Sequence, residues 1–267
     1  MPETAQALVR TATSHERPGP EPSVLRLPPV IGHRGAAGRA PENTLASIRK
    51  ARELGAEWVE FDVKLTRDGH AILKHDERLE RTTDGFGKVA DTDLVAIRRL
   101  DAGGWFGDAY RGERIPTLAE ALALCTELGL GINLEIKPCR GREAETARVA
   151  VEMLLALWPA HMPRPLISSF APECLQVARQ IAPHLPRGYL SHRLPRRWRE
   201  VVEEHHCATL HLNHRRISGR QRAAVIAAGV PLLLFTVNHA RRARQYLERG
   251  VTATITDYVD DVRAALA

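Results

Sequence analysis

Trp58-Val59-Glu60-Phe61-Asp62-Val63-Lys64-Leu65-Thr66-Arg67-Asp68-Gly69-His70-Ala71-Ile72-Leu73-Lys74-His75-Asp76 reads as a strand, a tight turn and a second extended arm. The strand, 58–65, alternates apolar and polar residues. Arg67-Asp68-Gly69 is far too short for a parallel crossover, which takes about a dozen residues or more, so residues 70–76 return antiparallel as a hairpin arm. Counting back from a turn centred near Asp68 sets His75 opposite the stretch from Glu60 to Asp62. Acids at i and i+2 of a strand face the same side, so Glu60 and Asp62 aim their oxygens at one point.

On either side of this hairpin, short apolar strands alternate with amphipathic helices. Strands are expected near 30–34, 58–65, 131–137, 165–169, 187–191, 208–213, 231–237 and 252–256. Helices are expected over 41–54, 117–128, 143–157, 172–181, 197–205, 218–228 and 240–249. Eight strands of this kind with helical crossovers predict a closed parallel barrel, the TIM (β/α)8 class, carrying a hairpin arm and a small insertion after its second strand. The insertion is the Gly- and Asp-rich stretch from Arg81 to Glu113, longer than an ordinary βα loop, read as a cover over the barrel mouth.

The 267 residues suit a single barrel domain over 28–267. Residues 1–27 are polar, contain four prolines and lack the apolar core of a secretory signal, so they are expected to form a flexible leader to a cytoplasmic protein. No apolar run approaches the ~18 residues of a membrane span. Cys125, Cys139, Cys174 and Cys207 form no CxxC pair, which fits a reducing compartment and argues against a cysteine-bound zinc.

The candidate chemistry gathers at strand ends. His33-Arg34-Gly35 follows the apolar Val30-Ile31, and Glu135 and Lys137 lie on the alternating strand Gly131-Ile132-Asn133-Leu134-Glu135-Ile136-Lys137-Pro138. Glu60, Asp62 and Glu135, with no thiol or imidazole among them, suit a hard divalent cation, Mg²⁺ or Ca²⁺. Burying such acids uncompensated inside an apolar strand is costly, and a metal removes that cost. His33 and His75 supply a general acid and a general base, while Arg34 and Lys137 supply positive charge for nonbridging phosphate oxygens. Together these groups suit cleavage of a phosphodiester.

The stretch His33-Arg34-Gly35-Ala36-Ala37-Gly38-Arg39-Ala40-Pro41-Glu42-Asn43-Thr44 resembles the opening motif of the glycerophosphodiester phosphodiesterases. Glu60-Phe61-Asp62-Val63, His75-Asp76, Thr82-Thr83-Asp84-Gly85, Leu134-Glu135-Ile136-Lys137-Pro138, Ser168-Ser169-Phe170, Phe235-Thr236-Val237-Asn238 and Thr256-Asp257 follow in the family's order. Asp101-Ala102-Gly103-Gly104-Trp105-Phe106 and His211-Leu212-Asn213-His214 are similar to the bacterial cytoplasmic branch associated with glycerol 3-phosphate uptake. The resemblance implies a TIM-barrel hydrolase that converts glycerophosphodiesters such as glycerophosphocholine or glycerophosphoethanolamine to sn-glycerol 3-phosphate and an alcohol. Phe170 and Phe235 are candidates to line its substrate pocket; at Phe235 the family commonly has tryptophan or tyrosine.

Other readings compete. The formal charge of +6 and the arginine clusters at 196–199, 215–216 and 241–244 suggest a nucleic-acid or anionic-membrane binder. These arginines lie on separate predicted elements without interleaved aromatics, so a solvated basic surface with no nucleic-acid partner is expected. His205, His206, His211 and His214 suggest zinc, but no cysteine or carboxylate completes the set. Lysophospholipids are an alternative substrate, disfavoured because the leader has no amphipathic or apolar anchor, and no stable membrane association is expected.

Overall fold

The computed structural model describes residues 25–267; most of the expected leader, residues 1–24, lies outside the described residues. Eight parallel strands close a barrel: β1 (Val30–His33), β2 (Trp58–Leu65), β4 (Gly131–Ile136), β5 (Leu166–Ser169), β6 (Arg187–Ser191), β7 (Thr209–Asn213), β8 (Leu232–Phe235) and β9 (Ala253–Thr256). Helices α1 (Leu45–Glu53), α3 (Leu118–Glu127), α4 (Glu143–Leu157), α5 (Pro172–Ile181), α6 (Trp198–Glu204), α7 (Gly219–Ala227) and α8 (Ala240–Glu248) cross between strands, and α9 (Val259–Ala264) follows the last. The expected TIM barrel with an additional strand is present.

That additional strand, β3 (Ala71–Leu73), is the hairpin arm, shorter than the sequence suggests. β2 outlasts its neighbour: it pairs with β1 only as far as His33 opposite Glu60, and from Val63 onward β3 occupies the vacated edge. The Lys74 amide donates to the Asp62 carbonyl (2.9 Å), so the chain past β3 runs back toward the end of β1. Both histidine motifs thereby reach the C-terminal rim of the barrel, the end where such folds carry their sites.

Apolar outer faces of the strands pack against the helices in the main core, and Ile31, Trp58, Leu166, Leu233, Ala253 and Ile255 fill the barrel floor. Leu25 and Leu27, read from sequence as the end of the leader, pack on that floor. Between β3 and α3 the chain forms two short 3₁₀ turns and one helical turn, α2 (Leu94–Ile97), built around a small core of its own that includes Ile72, Leu79, Val89, Ile97 and Ile115.

The helix expected from Pro41 begins only at Leu45. Thr44 caps it by accepting the Ser47 amide (3.1 Å), and Asn43 sits at φ +56°, outside the helical region. Pro41, Glu42 and Asn43 are thereby left to the barrel mouth.

Candidate active site

The chain turns sharply after β1. Arg34 occupies the left-handed region (φ +51°), and at Gly35 (φ +88°) a β-carbon would fall 2.5 Å from Ser47 Oγ, so only glycine fits. This turn points the Arg34 amide at Glu60 Oε2 (3.0 Å) and sets its guanidinium Nε 3.2 Å from Asp62 Oδ2.

Glu60, Asp62 and Glu135 offer oxygens that all lie within 4.8 Å of one another, the metal-competent cluster found among the described residues. β2 and β4 run in register with Asp62 opposite Glu135, which explains the convergence. Glu60 and Asp62 are 2% and 1% exposed. Burial, reinforced by the neighbouring carboxylates Asp62 and Glu135, pushes the Glu60 carboxyl well above the usual range; burial and Asp62 also raise Glu135. Burial acts against ionised Asp62 too, but Arg34, Lys137, His75 and the Asn43 amide, bonded at 2.8 Å, hold it below the usual range.

Lys137 Nζ donates to Glu135 Oε1 at 2.7 Å and lies 3.3 Å from Asp62 Oδ1. Glu60 Oε1 is buried and accepts no hydrogen bond. Three converging carboxylates, one with an oxygen left without a donor, fit a hard divalent cation coordinated by oxygen.

Each histidine is oriented through Nδ1. His33 Nδ1 meets Asp257 Oδ1 at 2.6 Å, with Nε2 4.0 Å from Glu60 Oε2. His75 Nδ1 meets Asp76 Oδ1 at 2.7 Å, and burial holds the His75 imidazole down at about 4. Asp257 is itself fixed by Asn238, whose amide nitrogen donates to Oδ2 and whose oxygen accepts the Asp257 amide at 2.9 Å. Asp76 takes the Arg81 guanidinium on Oδ2; Arg81 bonds both oxygens of Glu42 at 2.7 Å; and Glu42 Oε1 accepts from Arg34 at 2.7 Å. A chain of alternating charge thus connects Asp62 to His75.

A cavity of about 820 Å³ opens above the acids, and His33, Arg34, His75, Glu135, Lys137, Phe170 and Phe235 all line it. Phe170 and Phe235 meet edge to face at 5.8 Å, His192 packs 4.9 Å from Phe170, and Lys137 Nζ stands 5.2 Å over the Phe170 ring. The structure therefore gathers every residue nominated from sequence in and beneath one cavity. The histidines weighed for zinc do not converge: His211 bonds Thr209 inside the barrel, His214 faces Tyr246 and His205 stacks on Tyr189.

Sequence reasoning missed the supporting groups Asn43, Asp257, Asn238 and the Glu42–Arg81–Asp76 link. Asp257 had a usable signal: it directly follows the last strand, which a closed barrel lays beside the first. The Arg81 link had none, since irregular chain has no period to place a side chain.

A family profile described as glycerophosphoryl diester phosphodiesterase matches residues 33–261. The chain is 36% identical over 238 residues to a glycerophosphodiester phosphodiesterase of Caldanaerobacter subterraneus, covering 85% of this chain and 93% of that one. It is 31% identical over 251 residues to a glycerophosphodiester phosphodiesterase of Bacillus subtilis, covering 86% and 84%. Among solved structures, an Oleispira antarctica phosphodiesterase in complex with the product sn-glycerol-3-phosphate superposes with a TM-score of 0.88 at 42% identity, covering 90% of this chain and 97% of that one.

Proposed function

The chain belongs to the glycerophosphoryl diester phosphodiesterase family, and from that membership we propose that it hydrolyses water-soluble glycerophosphodiesters to sn-glycerol 3-phosphate and an alcohol, with His33 and His75 as the acid–base pair. The observation that carries the mechanism is the pairing of each imidazole with a carboxylate on Nδ1, which leaves Nε2 for the substrate, above three convergent acids. The product in the Oleispira relative supports the same outcome here. Glycerophosphocholine and glycerophosphoethanolamine are the proposed substrates.

Glu60, Asp62 and Glu135 would hold Mg²⁺ or Ca²⁺, which when bound supplies Lewis-acid polarisation of a nonbridging phosphate oxygen. Arg34 and Lys137 reinforce the positive field where charge accumulates in the transition state, and Phe170 and Phe235 wall the substrate. The neutral histidine takes the proton of the substrate's own glycerol 2-hydroxyl as that oxygen attacks phosphorus. The protonated histidine gives its proton to the departing alkoxide, releasing the alcohol and a cyclic phosphate. In the second half, the histidine that has just lost its proton accepts one from the attacking water, and its partner returns a proton to the 2-oxygen, giving glycerol 3-phosphate. An attacker supplied by the substrate is favoured by proximity.

A barrel domain over 28–267 with its insertion over about 81–113 and a cytoplasmic location belong to this proposal. Four buried free cysteines support the reducing compartment, and no helix among the described residues is long and apolar enough to cross a membrane.

The test is turnover of glycerophosphocholine by His33→Ala and His75→Ala, each expected to lose at least about 10²-fold in kcat. On a substrate with a nitrophenol leaving group, which needs no protonation, losing the general acid costs little and losing the base still costs much. That contrast assigns the two roles. Near-normal rates in both variants on glycerophosphocholine would refute the mechanism.

A further inference from the structure

The substrate cavity opens at Asn213 and Arg215 into a second hollow lined by Arg193, Arg215 and Arg216. Elsewhere on the surface Arg67, Arg78, Arg98 and Arg244 each hold a carboxylate, whereas Arg196, Arg241, Arg242 and Arg249 have none among the described residues; what sets the hollow's three arginines apart is their place beside the substrate cavity. Among the described residues, none of the three arginines around the hollow has a carboxylate within ion-pair reach.

Their backbones are pinned while their guanidinium groups stay unengaged. Ser191 Oγ donates to the Arg193 carbonyl (2.7 Å), the Arg215 amide to Asn213 Oδ1 (3.0 Å) and the Arg216 amide to the Asn213 carbonyl (2.9 Å). The nearby start of α7 is already satisfied by a capping box between Ser218 and Gln221, so the positive character of the hollow resides in the side chains. Both turns follow adjacent parallel strands, β6 and β7, at the rim where the histidines stand. Three unpaired cations bordering one hollow set up a positive potential that draws an anion to it.

A phosphodiester carries one negative charge, and Arg34 and Lys137 already stand where its phosphorus would sit. Three further unpaired cations beside the cavity exceed what that group requires. We infer that Arg193, Arg215 and Arg216 form a subsite for a second anionic group carried by the alcohol of the substrate, a phosphomonoester or a carboxylate. The inference rests on the glycerophosphodiesterase reading and adds a substrate class to it: diesters whose headgroup is itself an anion.

The experiment compares kcat/KM for four diesters: glycerophosphoglycerol phosphate, glycerophosphoserine, neutral glycerophosphoglycerol and cationic glycerophosphocholine. At low salt the phosphate-bearing substrate is expected to exceed the neutral one by about 10-fold, with the gap closing near 1 M salt, where charges are screened within about 3 Å. The serine arm separates carboxylate from phosphate recognition. Arg215→Gln, and Arg193→Gln combined with Arg216→Gln, should each shrink the phosphate-over-neutral ratio at least about 3-fold. These exposed substitutions leave the fold intact, so the ratio remains measurable.

A ratio near one, or a ratio that the arginine substitutions do not change, would overturn the subsite. Sedimentation with phosphatidylglycerol vesicles that is lost in the same variants, without any headgroup preference, would overturn it in favour of a membrane surface. Turnover of none of the four diesters would remove the underlying glycerophosphodiesterase reading as well, which separates the two failures.

Discussion

His33 Nδ1 and Asp257 Oδ1 lie 2.6 Å apart although 224 residues separate them in the chain, because barrel closure pairs β1 with β9. Burial opposes a charge on Asp257, yet the bond from His33 and the Asn238 amide keep its carboxyl below the usual range. An ionised partner at Nδ1 fixes the imidazole's tautomer and ring plane, turning Nε2 toward the cavity.

Asp257→Asn tests that relationship. Asparagine keeps the volume but carries no charge to support an imidazolium and is free to present its amide to Nδ1. Loss of an orienting partner of this kind typically costs about 10- to 100-fold. The loss should fall on kcat with KM little changed, and steady-state kinetics on glycerophosphocholine measures it; an unchanged kcat would show that the closure bond is only structural.

How far the chain could be read follows from where regular periodicity governs. The hairpin was legible because Arg67-Asp68-Gly69 cannot span a crossover, and its register placed His75 near Asp62, as the Lys74–Asp62 backbone bond bears out. The acid triad was legible because residues two apart on a strand share a face. Asn43 was not: its side chain reaches both the Asp62 carboxylate and the Asp62 amide from a left-handed turn that looked like the first turn of a helix. Tertiary bonding overrode local helical preference there. Arg81 was hidden for a different reason, since it lies in irregular chain after β3, where no period places a side chain.

The acid triad predicts a separation of stability from activity. In chelating buffer Glu60→Gln should match or exceed the wild-type melting temperature, because it removes a buried carboxylate crowded by Asp62 and Glu135. Added Mg²⁺ or Ca²⁺ should raise the wild-type melting temperature by mass action, and should raise that of Glu60→Gln, Asp62→Asn or Glu135→Gln far less. Calorimetry with and without metal measures both effects. An equal rise in all four proteins would place the ion elsewhere.

Arg81 predicts a coupling across the mouth. It holds Asp76 beneath His75 and both oxygens of Glu42, which in turn holds Arg34. Arg81→Ala should lower kcat by about 10-fold or more, as loss of a positioning group commonly does. In a His75→Ala background the same change should cost much less, because the group that it positions is gone. Equal losses in the two backgrounds would show that Arg81 acts through something other than His75.

His211 predicts how stability depends on pH. Its ring is fully buried inside the barrel, Nε2 bonds Thr209 at 2.9 Å, and burial pushes the imidazole down to about 3. In the unfolded chain the same group titrates near the ordinary ~6.5. Between these values the unfolded state binds the extra proton, so stability rises with pH and is lost as pH falls from about 6.5 toward 3. At about 1.4 kcal/mol per unit, the cost at pH 4 is roughly 3 kcal/mol, or some 5 to 10 °C in melting temperature. Glu60 and Glu135, raised by burial, act in the opposite sense over part of this range, so the comparison must be a difference between proteins. His211→Met keeps an uncharged side chain of similar size and cannot take up the proton. Its melting temperature should therefore fall less steeply than the wild type's between pH 6.5 and 4, and parallel curves would mean that the buried imidazole does not govern acid lability.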